Sequence, residues 1–150
     1  MTLRRAGRRD VGAVVDLQRA AYERNRSILG VEPLPLQVDY ADVLAAREVW
    51  LEEQDGRLAG VLILEERADH LLIWSVAVAP PMQGTGIGNR LLAQAEARAR
   101  RLGLSRLRLY TGEPLAGNIA WYERHGFVRE RIEALSDRRI VHMVKDLAGR

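Results

Sequence analysis

Six consecutive residues, Gln83-Gly84-Thr85-Gly86-Ile87-Gly88, concentrate the residue types that hold an anionic cofactor. Glycines at alternate positions remove every second Cβ, so the backbone bends tightly and its N–H groups come within hydrogen-bonding distance of a ligand. A wholly apolar run ending at Val78 precedes them and an amphipathic segment starting near Asn89 follows, which places the glycines in a strand-to-helix turn. Unpaired amides and the positive end of the macrodipole meet there and favour a phosphate. The stretch therefore reads as a pyrophosphate cradle. A P-loop requires Gly-Lys-Ser/Thr after four spacer residues, yet the only lysine in the chain is Lys145. A dinucleotide fingerprint requires G-x-G-x-x-G, and the spacing of Gly84, Gly86 and Gly88 does not supply it. The pattern that remains is Q-x-x-G-x-G, on Gln83, Gly86 and Gly88.

Further chemistry is limited by what is missing. The chain has no cysteine, which removes disulfides, thiolate ligands and a cysteine acyl-enzyme together. His70, His125 and His142 have no metal-ligand spacing and read as surface or sheet residues, so no metal is expected. No Ser/His/Asp arrangement suggests an acyl-serine. A second polar and aromatic cluster runs through Tyr110-Thr111-Gly112-Glu113 and then Asn118 to Phe127, with Trp121, Tyr122 and His125 inside it. Tyr22, Glu23, Asp39 and Tyr40, near the irregular segment with Gly30, Pro33 and Pro35, are polar candidates for a substrate site.

The elements that must position these groups follow from periodicity and turn residues. Leu3–Ala6 suits a first strand, and Asp10 an N-cap for a helix with Val11, Val14, Val15, Gln18 and Tyr22 on one stripe, running to about Arg24. A short helix is expected from about Val38 to Ala46. Asp55-Gly56 should turn strand 48–54 into strand 57–66, and Ala68-Asp69 should lead into His70–Ala79. Both alternating faces of that last strand, Leu72/Trp74/Val76/Val78 and Leu71/Ile73/Ala77, are apolar, so it should be central and covered on both sides. Pro80 and Pro81 end it. The next helix turns Leu91, Leu92, Ala95, Ala99 and Leu102 to the sheet, with Gly103 as its cap. Leu104–Tyr110 is a strand that a right-handed crossover makes parallel to 70–79, with the glycine loop at their carboxyl ends. A helix over 117–125 and strands over 128–135 and 139–147 complete the order. The expected class is α+β: a mixed, mostly antiparallel sheet flanked by helices, with a parallel central pair.

Two motifs now carry a resemblance. Gln83-x-x-Gly86-x-Gly88 resembles the acyl-coenzyme A loop of the GNAT N-acetyltransferase superfamily, and Asn118-x-x-x-Tyr122-x-x-x-Gly126-Phe127 resembles the end of that domain. They occur in family order and spacing, and the element order covers essentially the whole chain, residues 1–150, as one domain. The N-terminal Tyr22, Pro33, Pro35, Asp39 and Tyr40 are similar to those of small bacterial members, a weaker match.

The resemblance implies acetyl-coenzyme A as cosubstrate and a primary amine, on a small molecule or a protein, as acceptor. Val76, Ala77 and Val78 would pair with the pantetheine arm as though it were an added strand, forming a cofactor groove. Gln83, Gly84, Thr85, Gly86, Ile87, Gly88 and Asn89 would cradle the pyrophosphate. Asn118 would bind near the thiol end, although it could equally be the N-cap of its own helix. Tyr122 would protonate the departing thiolate as the general acid. A phenol of pKa about 10 is a weaker acid than a thiol of pKa ~8.5, so it assists chiefly by a hydrogen bond in the transition state. A neutral amine would attack directly, through an oxyanion stabilised by a backbone N–H near Val78. Tyr22, Tyr40 and Trp74 are expected on the acceptor side.

Relatives often carry an acidic-polar pair just before the V-A-V run, where this chain has Trp74-Ser75. Glu113 is the favoured replacement base, because the end of a parallel strand beside a splayed pair opens onto the site. Glu65 and Glu66 are alternatives, and so is an acceptor that arrives deprotonated. The rival from another class is a module that holds acyl-coenzyme A without turning it over.

Composition narrows the partners. The formal charge is +3 over 150 residues, but arginines are interspersed with Glu and Asp, as around Glu96 and Glu130, so a nucleic-acid partner is not expected. The run Leu71–Ala79 is too short to span a bilayer, and the Arg-rich first ten residues are not followed by a signal-type apolar run. A cytoplasmic location without membrane attachment is expected. The family resemblance adds a homodimer as a candidate assembly.

Overall fold

The computed structural model describes residues 3–148. Seven strands form one sheet in the order β1-β2-β3-β4-β5-β7-β6. They are β1 (Leu3–Arg5), β2 (Glu48–Gln54), β3 (Arg57–Glu66), β4 (Leu71–Val78), β5 (Arg106–Gly112), β6 (Val128–Ala134) and β7 (Arg139–Asp146). Four helices flank it: α1 (Val11–Leu29), α2 (Tyr40–Ala46), α3 (Ile87–Arg101) and α4 (Ala116–Arg124). Every strand pairing is antiparallel except β4 with β5. The expected mixed sheet and its parallel pair are both present.

The two faces of the sheet hold separate cores. Leu62, Leu64, Leu71 and Ile73 pack under Ile87, Leu91, Ala95 and Ala99 of α3 and Ile119 of α4. On the other face Val49, Leu51, Val61, Ile63 and Ala77 pack under Val14 and Leu17 of α1 and Val43 of α2. Burial of both faces of the central strands is what their unbroken apolar runs require. Gly60 on β3 lets α3 lie close, since a Cβ there would stand 2.8 Å from Ile87 Cγ2. A partly buried ion pair also joins α3 to the sheet: Arg90 donates Nη2 to Glu52 Oε2 at 2.6 Å and Nε to Oε1 at 3.1 Å, and the Glu52 side chain is fully buried.

Several details differ from expectation for identifiable reasons. Helix α1 continues past Arg24 to Leu29, because Asn25 and Leu29 prolong the inward stripe of Gln18 and Tyr22, and it ends at Gly30 with φ +73°. Asp10 precedes α1 but makes no side-chain cap there. Its carboxylate instead accepts from the Arg4 guanidinium at 2.8 and 3.1 Å and from the Gly7 N–H at 2.7 Å. Asn118 is not an N-cap, since α4 begins at Ala116 after Leu115.

The register of β4 shifts within the strand. Ile63 pairs with Ser75 while Leu64 pairs with Ile73, so Trp74 is an extra residue, a β-bulge. Strict alternation therefore fails beyond it: Val76 and Val78 pack on the same core as Leu71 and Ile73, while Trp74 and Ala77 pack on the other. Pairing on the other edge of β4 is also incomplete. Strand β5 pairs with β4 only at Leu71↔Leu107 and Leu72↔Arg108, after which the two part. No helix among the described residues is long and apolar enough to cross a membrane.

Candidate active site

Where β4 and β5 part, their carboxyl ends border a cavity of about 560 Å³. It is closed by α1, the 33–35 segment, the glycine loop, α4 and the turn between β6 and β7. Beyond Leu72 the β4 edge that faced β5 has no strand partner, so the outward-facing backbone groups of the stretch 76–78 can pair with an extended ligand. An open strand edge is one half of what the expected cofactor groove requires.

The other half is the loop into α3. Gly84 and Gly86 have φ of +81° and +91°, conformations that side-chain-bearing residues rarely adopt, and both line the cavity with Gln83 and Gly88. Gln83 Nε2 donates to the Val78 carbonyl at 3.2 Å and folds the loop back onto the strand. Gly88 has a different role: a Cβ there would lie 3.0 Å from the Trp121 ring, so the missing side chain lets α4 approach α3. Two residues of the expected cradle contribute no side chain to the cavity. Thr85 Oγ1 is spent on the Met82 carbonyl at 2.5 Å, and the Ile87 side chain is fully buried in the core beneath β3. Asn89 lines the cavity, but its Oδ1 meets His125 Nε2 at 2.9 Å, which ties α3 to α4.

Helix α4 brings Asn118 and Tyr122 to the same cavity. Their position follows from helical spacing, since residues four apart share a face. Neither side chain has a hydrogen-bond partner among the described residues, so both remain free for a ligand. The Tyr122 ring is fixed edge-on between Trp121, at 5.1 Å, and Phe127, at 5.7 Å. Desolvation first, and then the nearby Tyr22, push its hydroxyl well above the usual phenol range. It is a neutral donor at any working pH.

On the acceptor side Tyr22 lies within 2.9 Å of Ser75 Oγ, and Gln18 Nε2 donates to Ser75 Oγ at 3.0 Å and to the Tyr40 hydroxyl at 2.8 Å. Tyr40 donates in turn to the Pro35 carbonyl at 2.7 Å. Tyr40 is therefore buried behind the cavity wall and does not line it, contrary to its expected place at the substrate. It supports Trp74 edge-on at 6.3 Å, while the Arg47 guanidinium stands 5.0 Å from the Trp74 ring on that residue's own side. Trp74 and Tyr22 do line the cavity. Burial raises the Tyr22 and Tyr110 hydroxyls as well, so the phenols here serve as donors and not as bases.

The expected base is elsewhere. Glu113 accepts from Arg139 Nε at 3.0 Å and lines a smaller neighbouring pocket, because the chain turns outward after Gly112. Glu65 is held by Arg47 and Arg67, and neither Glu65 nor Glu66 reaches the cavity. Among the described residues no Asp, Glu, His or Lys lines it, and its charged residues are Arg24, Arg124 and Arg138. Two polar lining residues, Asn25 and Arg138, escape a sequence reading. Asn25 was legible as the continuation of the Gln18/Tyr22 stripe, but Arg138 sits in a turn whose path no local pattern gives.

This arrangement agrees with known proteins. Residues 13–127 match the pattern described as the acetyltransferase (GNAT) family. The chain is 33% identical over 141 residues to an amino-acid acetyltransferase of Ralstonia nicotianae, covering 91% of this chain but only 28% of that relative. It thus spans less than a third of that protein's length. The fold is similar to that of a PaiA N-acetyltransferase from Thermoplasma acidophilum in complex with coenzyme A, with TM-score 0.80, 17% identity, and 97% and 98% of the two chains covered. It is also similar to an IAA acetyltransferase from Bacillus cereus, with TM-score 0.75, 24% identity, and 97% and 99% covered.

Proposed function

The chain belongs to the acetyltransferase (GNAT) family, and on that premise we propose that it is an N-acetyltransferase that uses acetyl-coenzyme A and acts on a primary amine by direct attack. One observation carries the reading: an unpaired strand edge, a glycine loop at a helix N-terminus and the unpartnered Asn118 and Tyr122 converge on one cavity. The same donor set suits a ligand with an extended amide arm and a pyrophosphate. When bound, acetyl-coenzyme A supplies an activated acetyl thioester.

The residues divide the work. Val76–Val78 hold the arm through backbone groups, and Gln83, Gly84, Gly86 and Gly88 lead the pyrophosphate onto the first N–H groups of α3. Tyr122 donates a hydrogen bond at the sulfur end, where charge develops as the thiol leaves. Trp74, Tyr22 and the 33–35 segment bound the acceptor. With no carboxylate or imidazole on the lining among the described residues, the amine enters neutral, and its proton passes to water. The fraction of acceptor that is deprotonated therefore sets the rate.

Calorimetry with acetyl-coenzyme A, and thiol release with a panel of amines, test the reading. One-site binding with amine-dependent thiol release is expected. Absence of binding would overturn it, whereas binding without thiol release for any amine would support a module that only holds acyl-coenzyme A.

A further inference from the structure

Two side chains on the acceptor side take no part in the chemistry above. Asn25, on the inward stripe of α1, is 7% exposed and lines the cavity, and its amide makes no hydrogen bond among the described residues. Arg138, in the β6–β7 turn, has a side chain only 6% exposed that also lines the cavity. Its Nε and Nη2 donate to Asp137 Oδ1 and Oδ2 at 3.1 and 3.0 Å, while Nη1 is left without a partner among the described residues. Asp137 is half exposed, so it braces the guanidinium from the solvent side and leaves the inner edge free. Leu29, one turn beyond Asn25 on α1, lines the cavity beside them.

We propose that Asn25 and Arg138 form an anion subsite for a carboxylate on the acceptor, so that the acceptor is an amino acid with an apolar side chain and not a simple amine or polyamine. The proposal rests on the acetyltransferase reading of the same cavity. The Asn25 amide opens onto the cavity and has no protein partner among the described residues, so its donor and acceptor are available to a ligand. A guanidinium edge with free N–H groups matches the planar oxygens of a carboxylate. The lining points the same way, since among the described residues its charged side chains are all arginines, which disfavour a second cationic amine. Leu29, Leu34, Pro35 and Trp74 supply the apolar surface for the side chain. Arg138 and Leu29 also border the smaller neighbouring pocket, which no residue of the glycine loop lines.

Matched pairs that differ only in the carboxylate give the test: L-phenylalanine against phenethylamine and L-leucine against 3-methylbutylamine, with rates compared per neutral amine at saturating acetyl-coenzyme A. The wild type should favour the amino acid by about 10- to 100-fold in kcat/KM, the range for one hydrogen-bonded charge. Arg138→Met and Asn25→Leu should remove most of that preference while acetyl-coenzyme A affinity by calorimetry stays within about twofold, and Arg138→Lys should keep part of it. Equal rates within each pair would overturn the proposal, as would an Arg138→Met variant that loses acetyl-coenzyme A affinity instead. Binding of N-acetyl-L-phenylalanine against N-acetylphenethylamine, followed by NMR, reads the subsite without turnover. Tighter binding of the carboxylate form supports the subsite even if acetyl transfer fails, and equal binding sinks it even if transfer succeeds.

Discussion

Three phenols and four side-chain amides line the cavity at the residue scale, and the phenols' raised pKa values decide what they can do. Tyr122 is held above the usual phenol range by desolvation, so it remains protonated and donates without exchanging its charge state. Tyr122→Phe keeps the ring between Trp121 and Phe127 and removes only the hydroxyl. Turnover should fall by roughly ten- to a thousandfold with acetyl-coenzyme A affinity nearly unchanged, the range for a lost proton donor. Unchanged turnover would reduce Tyr122 to packing. Glu113 is bound to Arg139 outside the cavity, so Glu113→Gln should leave the pH–rate profile as it is. In both proteins the rate should climb with pH towards the pKa of the acceptor amine. A plateau near pH 6 that disappears in Glu113→Gln would return the carboxylate to the role of base.

At the scale of elements, the site exists because β4 and β5 are paired at one end only. The bulge at Trp74 turns both Trp74 and Ser75 toward α1, where Ser75 joins Gln18 and Tyr22. Without it, alternation would leave one of the two on the opposite face. The approach of α3 to α4 is set by Gly88, whose absent Cβ leaves room for the Trp121 ring. Gly88→Val should force these helices apart at the point where they border the cofactor half of the cavity. Overpacking of this kind costs roughly 1–3 kcal/mol, and acetyl-coenzyme A affinity should fall by at least about tenfold if the cavity absorbs that strain. Wild-type affinity in Gly88→Val would show that α4 does not shape the groove.

Across the whole molecule, ion pairs bind distant parts of the chain to the sheet. Arg90 and Glu52 join α3 to β2, and Arg4 and Asp10 join β1 to the start of α1. The Arg4 guanidinium, followed by the Gly7 N–H, lowers the Asp10 pKa to about 2 from an ordinary value of 3.8. A carboxylate more acidic in the folded state stabilises the fold above its unfolded pKa, and that contribution is lost as pH falls from about 4 to about 2. Because the Arg4 side chain is 35% exposed, solvent screening holds the contribution to about 1 kcal/mol or less. Chemical denaturation between pH 5 and pH 2 should therefore show a steeper loss of stability in the wild type than in Asp10→Asn. Parallel curves would mean that the pair contributes nothing to acid sensitivity.

The sequence by itself determined the elements, their order and the residues of the proposed cofactor half of the site. Apolar periodicity, the Asp55-Gly56 turn and the glycines after Val78 are local signals, and a local signal suffices wherever neighbouring residues decide the backbone. The motifs on Gln83, Gly86, Gly88, Asn118 and Tyr122 are local in the same sense, and the structure brings all five to one cavity. Only the tertiary structure decided the acceptor half. Whether Glu113 points inward depends on where the chain turns after β5, and Arg138 reaches the cavity only because β6 and β7 fold back beside α1. Trp74 and Ser75 share a face only because of a register shift against β3. These outcomes depend on contacts between segments far apart in the chain, and the energy that selects them, burial against a partner surface, does not exist until the partners have met.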